Sequence, residues 1–569
     1  MAGTARYEQI PDDEPLRVGK SSKSGFSVKK LVLVIFLALF AGYLTKVTFF
    51  SHSSNSIPHS DKPVCPIPSK VAIKEHDAIQ SILNDKEYHK GVIDRFSKAI
   101  QVDTVVFDKM KDYSKMGKFH EYLEKSYPLV YKHAEVYKVN KYGLVFYFPG
   151  SDSSLKPIMM AAHQDTVPIG DKSDWTEDPF SGRFDGKDFH GRGASDCKNL
   201  LVGLIEAAEK LVADKKTDFK RGFILAFGFD EEKSGWDGAY NIGKFLVEKF
   251  GPNSIESITD EGPSMFNDIL GGYYSIIPTG EKGYVDIQVK VNAPGGHSSL
   301  PGDHTSIGML SSFLSDYEDD MYTPILTEEN PMMNFFECLG EHADNLPKSL
   351  AQAARNVRYD SKAREVVLDY SSKNKLLKYN VRTSQAIDMI DGGDKANSLP
   401  REVSAVINHR ISYGNSMETL WEKFTKHAKN AVEKYDIGLI VDGKEIAPKT
   451  DNGVMEVSKF VEELVPAPTT SYTDDLWFEF TGLIKAFYED EIYPGKFDSG
   501  KGLVFAAALM SGNTDTRHYW NLTDHIYRVQ PGAVNLFNEH VHGNDEVAGL
   551  DTHLQIISFY YNYISHFCL

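Results

Sequence analysis

The chain has 569 residues, of which 41% are hydrophobic and 25% are charged. This composition is typical of a globular protein with a large core, and the length predicts two or three domains. The net charge of −18 argues against a nucleic-acid-binding protein, because such proteins usually carry a basic face. The 4 cysteines are too few for a disulfide scaffold, although they leave one bridge possible.

The N-terminus carries the pattern of a membrane anchor. Residues 31–50 are almost continuously apolar, and about 20 such residues are needed for a helix to cross a bilayer. The flank at 17–30 contains basic but no acidic residues, so the positive-inside rule puts residues 1–30 in the cytoplasm. A cleaved signal peptide is the alternative, but the long polar lead disfavours it. We therefore expect a single-pass type II protein with a stalk at 51–69.

A buried strand is predicted at residues 158–162, and it leads into His163 and Asp165. Side chains two residues apart point to the same side of a strand, so this pair can converge on one point. Open α/β sheets bind ligands at the carboxyl ends of their strands. An imidazole beside a carboxylate suits either a metal site or a charge-relay pair, and the two residues alone leave both interpretations open.

Two further apolar strands are followed by acidic residues. The predicted strand at 222–229 leads into the acidic run 230–232, and the strand at 254–259 leads into Asp260 and Glu261. Burying adjacent carboxylates costs free energy unless they bind a cation or share protons. The alternative interpretation is that these residues form a solvated turn. Helical periodicity between the strands predicts a parallel α/β sheet that collects ligands along one edge.

A different pattern begins after these strands. Residues 283–291 alternate strictly between apolar and polar side chains, which is typical of a half-exposed antiparallel strand. A strand at 403–410, a helix at 417–435 and a strand at 437–441 follow, and they predict an inserted α/β sandwich. The mostly helical section 329–375 has no role that the sequence reveals.

Seven motifs occupy residues 162–168, 191–199, 230–235, 260–262, 295–299, 395–400 and 542–546. Together they resemble the motifs of one family, the di-zinc exopeptidases that include aminoacylase, glutamate carboxypeptidase and carboxypeptidase S. The set is highly specific, it follows the order of the family, and it spans roughly residues 70–569. Variants within the motifs, together with the anchor, are most similar to the fungal vacuolar branch, carboxypeptidase S.

The resemblance implies two zinc ions and a general base. Mixed histidine and carboxylate ligands with open positions are typical of catalytic zinc, whereas structural zinc has closed thiolate shells. Asp165 would orient a histidine ligand, and Glu231 would carry the proton from water to the leaving amine. The implied ligands are His163 and Asp260 for one zinc, Glu232 and His542 for the other, and Asp196 as the bridge.

Some of these assignments have alternatives. Asp196 precedes a predicted helix, so it also suits a plain helix cap. Glu261 competes with the adjacent Asp260, which the family pattern favours. His540 competes with His542, but only His542 has the expected spacing to a later glutamate. Cys197 is expected to be a neighbour of the metals rather than a ligand.

The inserted sandwich resembles the family's lid domain, which closes over the substrate and often mediates dimerisation. His297 matches a lid histidine that stabilises the oxyanion, and a solvent-exposed turn histidine is its alternative. Asn397 and Arg410 match residues that contact the substrate, with Arg410 suited to gripping a terminal carboxylate. Gly512 is expected to line the same pocket. A homodimer through the lid is therefore a possible assembly.

We therefore expect an α/β zinc exopeptidase fold in which a catalytic domain at 70–281 and 448–569 carries a lid at 282–447. The expected function is hydrolysis of the C-terminal peptide bond of short peptides in a lumenal, vacuolar compartment. An N-acyl-amino-acid amidohydrolase is the alternative, since both substrates are amides beside a free carboxylate. A catalytically dead binding protein is disfavoured because every ligand position is filled. Asn521 begins a sequon, which predicts possible glycosylation.

Overall fold

The computed structural model describes residues 63–497, 500, 502–532 and 539–569. The predicted cytoplasmic tail and membrane span, and most of the predicted stalk, lie outside these residues. Within the described ranges, no helix is both long and apolar enough to cross a membrane.

A mixed six-stranded sheet, here called the core sheet, forms the centre of the fold. Its middle strands are parallel and fully buried, which explains their continuous apolar runs and confirms the predicted parallel arrangement. The first two strands form an antiparallel hairpin at one edge. In spatial order the strands are Glu135–Val139, Gly143–Phe148, Phe223–Gly228, Ile158–His163, Ile258–Ser264 and Ile526–Gln530.

Helices pack around the core sheet and build the main hydrophobic core. The helices Lys198–Ala213 and Leu550–Cys568 are buried along most of their length and pack against each other. They approach closely at Gly203, where a Cβ atom would lie 2.4 Å from the Ile556 side chain. The other helices of this part of the chain are His76–Asn84, Lys86–Ile100, Met116–Ser126, Pro128–His133, Ala239–Phe250 and Asp475–Ala486.

A second six-stranded sheet, the lid sheet, has its own hydrophobic core under the helices Ser306–Asp319 and Met417–Tyr435. The strand Gly283–Asn292 alternates between buried and half-buried residues, as its sequence pattern predicts. The sheet extends past residue 447, the predicted end of the lid, because Val454–Lys459 is one of its inner strands. In order the strands are Ser384–Gly392, Glu402–Ile411, Gly283–Asn292, Val454–Lys459, Gly438–Val441 and Lys444–Ala447.

The section between the lid strands does not pack as part of the lid. Its helices Met332–His342, Lys348–Arg355 and Ser361–Lys373 form a separate core with the strand Val504–Met510. A disulfide joins Cys338 in the first of these helices to Cys65, near the start of the described chain. We call residues 329–381 the helical insert.

Smaller elements complete the fold. The strands Val504–Met510, Gly272–Glu281 and Asn267–Ile269 form one sheet, and Val547–Gly549, Asp188–His190 and Arg183–Phe184 form another. A two-stranded pair joins Gly296–His297 to Ser398–Leu399 at the lid. Single helical turns lie at Lys172–Asp174, Glu231–Lys233, Lys378–Asn380, Phe487–Ile492 and Asp515–His518.

Candidate metal centre

Two neighbouring parallel strands of the core sheet and the loop after a third bring the predicted histidine and acidic residues together. His163 is the last residue of its strand and is 1% exposed. Its Nδ1 donates to the backbone carbonyl of Asp165 at 3.0 Å, because a carbonyl oxygen only accepts. The ring therefore directs Nε2 towards Asp196 Oδ1, 3.0 Å away, and Glu261 Oε1, 3.7 Å away. Nε2 is the nitrogen left to bind a metal.

The Asp165 carboxylate holds the next strand end in place. It is fully buried, and its oxygens accept hydrogen bonds from the backbone amides of Glu231 and Glu232, each at 3.1 Å. Asp165 Oδ1 also lies 3.4 Å from His163 Nδ1. One carboxylate thus fixes the turn that carries the predicted base and touches the ring of the predicted ligand.

Glu546 shapes the loop that carries Asp196. This glutamate is 1% exposed, and its carboxylate accepts the backbone amides of Gly193, Ser195 and Asp196 at 2.8 to 3.0 Å. Arg192 Nη1 pairs with the same carboxylate at 2.8 Å. The motif at 542–546 therefore supplies both the histidine His542 and the glutamate Glu546, which fixes the Asp196 loop. The spacing of the motif did not predict this structural role of Glu546.

The potential ligand atoms form two groups that share Asp196, and within each group they lie within 4.8 Å of one another. In the second group, His542 Nε2 lies 3.0 Å from Asp196 Oδ2 and 3.3 Å from Glu232 Oε2. Since each Asp196 oxygen faces a different histidine, the carboxylate is placed to bridge two ions. The groups are His163, Asp196, Cys197 and Glu261, and Asp196, Glu232 and His542.

The geometry favours Glu261 over the predicted Asp260 as the acidic partner of His163, and the choice between the two ligands remains a prediction. Both acidic residues lie inside the strand Ile258–Ser264, which begins later than the sequence predicts. Neighbouring residues of a strand point to opposite faces, so only one of the two carboxylates can face His163. That one is Glu261, whereas Asp260 is buried and is absent from both groups of candidate ligands found in the described residues.

His542, rather than His540, approaches the acidic residues. The His540 ring faces the backbone carbonyl of Asn544 at 3.1 Å instead. Cys197 is buried beside His163, and burial raises the pKa of its thiol well above the ordinary value. The expectation that Cys197 is a neighbour of the metal remains a prediction.

The charges of the centre suit bound cations. Burial, and then the charge of Asp196, raises the pKa of Glu232 to about 7. Burial raises the pKa of Glu231 as well, with the Glu261 charge as the next cause. Hydrogen bonds to Asp196 and Glu232 raise the pKa of His542 to about 10. In the protein alone, bound protons therefore compensate charges that divalent cations would otherwise neutralise.

This donor set fits a pair of divalent metal ions. Imidazole nitrogens and carboxylate oxygens converge from five separate segments, and one carboxylate faces both groups. Glu232 Oε1 is buried and has no hydrogen-bond partner among the described residues, so it remains available to a cation. Burying such an oxygen without a partner costs free energy, and a bound ion would recover it.

The predicted substrate-binding residues fall into two pairs. His297 and Asn397 are both exposed and lie together at the lid, where Ser298 N donates to Asn397 O at 3.3 Å. His297 itself contacts Ser299 Oγ at 2.7 Å. No hydrogen bond or ion pair among the described residues connects this pair to the metal centre.

Arg410 and Gly512 form the second pair, and the loop of Gly512 joins them. Arg410 Nη1 donates to Asn513 Oδ1 at 2.8 Å, and its guanidinium lies over the Tyr284 ring. Gly512, the residue before Asn513, lines a cavity that also contains Asp196 and Glu261. The loop of Gly512 and Asn513 therefore contacts the candidate carboxylate-binding group and borders the cavity that two candidate metal ligands also line.

Comparison with known protein families gives a match over most of this structure. The model for "Peptidase family M20/M25/M40" matches residues 159–488, which include the strand ends and the lid. The chain belongs to peptidase family M20/M25/M40.

Carboxypeptidases and N-fatty-acyl-amino acid synthase/hydrolases both occur among the similar proteins. Carboxypeptidase S of Saccharomyces cerevisiae is 34% identical over 527 residues, with 89% of this chain and 90% of that protein covered. The N-fatty-acyl-amino acid synthase/hydrolase PM20D1 of Mus musculus is 28% identical and covers 88% of this chain and 90% of its own. The predicted resemblance to the carboxypeptidase S family is thereby confirmed.

A solved structure agrees with the M20 fold. The di-peptidase Dug1p of Saccharomyces cerevisiae superposes with a TM-score of 0.58 at 15% identity, covering 86% of this chain and 99% of that one. At this identity the similarity shows the fold alone. The α/β architecture with mixed sheets and helices is therefore that of an M20 peptidase.

Proposed function

We propose that this M20 protein is a two-metal carboxypeptidase that hydrolyses the C-terminal peptide bond of short peptides. The observation that carries the proposal is the pair of ligand groups that share Asp196, with the Glu231 carboxylate beside them. Sequence identity to carboxypeptidase S over most of the chain supports the peptide substrate.

The proposed metals are two zinc ions. His163 and Glu261 would hold one ion, Glu232 and His542 would hold the other, and Asp196 would bridge them. Nitrogen and oxygen ligands with room for substrate suit catalytic zinc. When bound, the ions polarise the scissile carbonyl and increase the acidity of water.

Glu231 is proposed as the general base. Its carboxylate takes a proton from the attacking water and passes it to the nitrogen of the leaving amino acid. The Asp165 carboxylate holds the Glu231 backbone in position at 3.1 Å. Because burial raises the pKa of Glu231, the carboxyl group binds the proton more strongly than an exposed glutamate would.

Arg410 and the lid would position the substrate. The Arg410 guanidinium, held by Asn513, suits the terminal carboxylate of the leaving residue. His297 would stabilise the oxyanion and Asn397 would contact the substrate. Since both are exposed at the lid and unconnected to the centre among the described residues, they fit a site completed by lid closure or by the partner in a lid-mediated homodimer.

The proposed setting is the lumen of a vacuole-type compartment, with residues 31–50 as the anchor. The disulfide between Cys65 and Cys338 supports it, because disulfides form and persist in oxidising compartments. The Asn521 side chain is exposed, which leaves its sequon accessible for glycosylation. The name of the yeast carboxypeptidase relatives supports the enzymatic class rather than the location.

N-acyl-amino-acid hydrolysis is the second candidate function. The similarity to PM20D1 and the cavity beside Glu261 favour it, since an acyl amino acid also presents an amide next to a carboxylate. The two functions differ in the group on the acyl side of the scissile bond.

A direct comparison of substrates tests the proposal. The full-length protein, purified in detergent, would be loaded with zinc and assayed on N-blocked dipeptides and on long-chain N-acyl amino acids. We expect the blocked dipeptides to give the higher kcat/KM and the loaded protein to contain about two zinc ions per chain. A preference for the long-chain acyl amino acids would overturn the peptidase assignment in favour of the second candidate.

A further inference from the structure

A cavity of about 430 Å³ opens next to the metal centre. Its size lies within the range of roughly 300–1,000 Å³ that is usual for small-ligand sites. Asp196 and Glu261 lie at one side of it, and Ser511 and Gly512 lie at the loop that carries Asn513. The cavity therefore begins where the scissile bond is expected to lie.

Apolar residues of the helical insert form another part of the cavity wall. Met332 and Phe335 face the cavity from one helix and are 2% and 6% exposed, so their side chains are firmly packed. Leu376 and Leu377 extend this wall from the turn after the last helix of the insert. The disulfide at Cys338 ties the first helix to the segment at Cys65.

The charged side chains that line the cavity are all acidic. The lining side chains that the structure describes include acidic groups at the metal centre but no lysine or arginine. Arg410 lies on the strand Glu402–Ile411 and donates to Asn513, and the Lys282 ammonium donates to the backbone carbonyls of Tyr379 and Arg382. An acidic side chain entering the cavity would therefore find no cationic partner among these lining side chains, whereas an apolar one would be desolvated by the wall.

The loop at Gly512 links the Arg410 side chain to the cavity, and this link determines which part of a bound substrate would face the apolar wall. Arg410 would bind the terminal carboxylate, and it is joined to this loop through Asn513. The cavity shares the loop through Ser511 and Gly512. The side chain nearest to the wall is therefore that of the residue that carries the free carboxylate.

We propose that the helical insert forms a specificity wall that selects a large apolar C-terminal residue, with Met332, Phe335 and Leu377 as the determining residues. The inference rests on the proposed carboxypeptidase function and assigns a substrate class to the same site. It also gives the helical insert a role, since its helices pack beside the catalytic sheet rather than within the lid.

A substrate series tests the wall. The zinc-loaded, full-length protein would be assayed on N-acetyl-alanyl dipeptides that end in Gly, Ala, Leu, Phe or Glu. We expect kcat/KM for Leu and Phe to exceed that for Gly by about 10- to 100-fold, which corresponds to burial of one large apolar side chain. The Glu substrate should be among the poorest.

The Leu377→Lys variant changes the charge of the wall at a partly exposed position. We expect it to lower kcat/KM for the Leu substrate about 10-fold or more and to raise it for the Glu substrate. Val366→Lys is the matched control, because Val366 is exposed on the same insert and does not line the cavity. The control should keep the selectivity of the unmodified protein.

The outcomes distinguish failure of the specificity wall from failure of the carboxypeptidase function. Hydrolysis of all five dipeptides with similar kcat/KM would overturn the specificity wall and leave the carboxypeptidase function standing. The same holds if Leu377→Lys changes selectivity no more than Val366→Lys. No hydrolysis of any dipeptide would overturn the proposed function and this inference together.

Discussion

The Asp165 carboxylate accepts a hydrogen bond from the backbone amide of Glu231, with an oxygen–nitrogen distance of 3.1 Å. Its other oxygen accepts the amide of Glu232 at the same distance, while the backbone carbonyl of Asp165 holds the His163 ring. Asp165 thus holds the candidate ligand His163 at the end of one strand. It also holds the candidate base Glu231 and the candidate ligand Glu232, which follow the neighbouring strand. This coupling leads to the first prediction.

We expect Asp165→Asn to lower both metal affinity and activity. The asparagine amide group would place N–H donors opposite a backbone N–H, so the Glu231 turn would shift. Metal affinity should fall about 10- to 100-fold, as for other residues that orient ligands. Metal titration followed by kinetics at saturating zinc would measure the two effects. Asp174→Asn, at an exposed turn, is the control, and equal behaviour of both variants would contradict the prediction.

Glu231→Gln should separate catalysis from metal binding. The amide retains the shape of the side chain but takes up no proton, so kcat should fall by roughly 100- to 10,000-fold. Metal content should stay near that of the unmodified protein, because Glu231 is absent from both ligand groups of the described residues. Elemental analysis and steady-state kinetics provide the measurements. Activity within a few-fold of normal would refute the proton-transfer role.

Replacement of the two adjacent acids tests which of them binds metal. We expect Glu261→Gln to reduce the metal content from about two ions to about one, since its carboxylate lies 3.7 Å from His163 Nε2. Asp260→Asn should retain both ions, because Asp260 lies on the other face of the strand. The two variants serve as controls for each other, and the opposite pattern would restore Asp260 as the ligand.

Arg410→Ala should weaken the binding of substrates that have a free C-terminal carboxylate. Loss of a charge-assisted hydrogen bond of about 1.5–3 kcal/mol corresponds to a decrease of about 10- to 100-fold in kcat/KM. The matching C-terminal amide substrate should be affected much less. Arg183→Ala, which removes an exposed arginine, is the control. Equal losses on the acid and amide substrates would argue against carboxylate recognition.

The lid core should lose stability in acid because of His409. This residue is fully buried, donates from Nδ1 to Ile407 O, and accepts the Tyr317 hydroxyl at 2.8 Å. Burial lowers its pKa to about 3, below the usual 6.5 of an unfolded chain. The unfolded state therefore binds more protons between these values, so stability is complete above about pH 6.5 and decreases as pH falls towards 3.

At pH 5 the expected contribution of His409 is a loss of about 2 kcal/mol relative to pH 7.5. Urea unfolding of zinc-loaded His409→Gln should show a correspondingly smaller difference between the two pH values, although the variant is less stable at both. His133→Gln, at an exposed helix end, should behave like the unmodified protein. An unchanged pH difference in His409→Gln would contradict the assigned cause.

The strand-end motifs were predictable because their signals are local. A continuous apolar run followed by acidic residues indicates a buried parallel strand, and the structure confirms the neighbouring strands that end near His163 and the 230–232 run. Alternation similarly identified the strand Gly283–Asn292 in the lid sheet. The order of the motifs also identified the family. These features depend on side-chain periodicity over a few residues, which a sequence displays directly.

Long-range packing decided the rest. The sequence by itself left Asp260 and Glu261 equivalent in chemistry, because the face of each residue depends on where the strand begins and on which helices cover it. The pairing of Cys65 with Cys338, the anchoring of Asp196 by Glu546, and the link between Arg410 and Asn513 join segments far apart in the chain. Only the tertiary structure shows that the helical insert lies beside the metal centre. Its apolar residues follow the pattern of any helix that packs on a core, so the sequence does not identify the surface on which they pack.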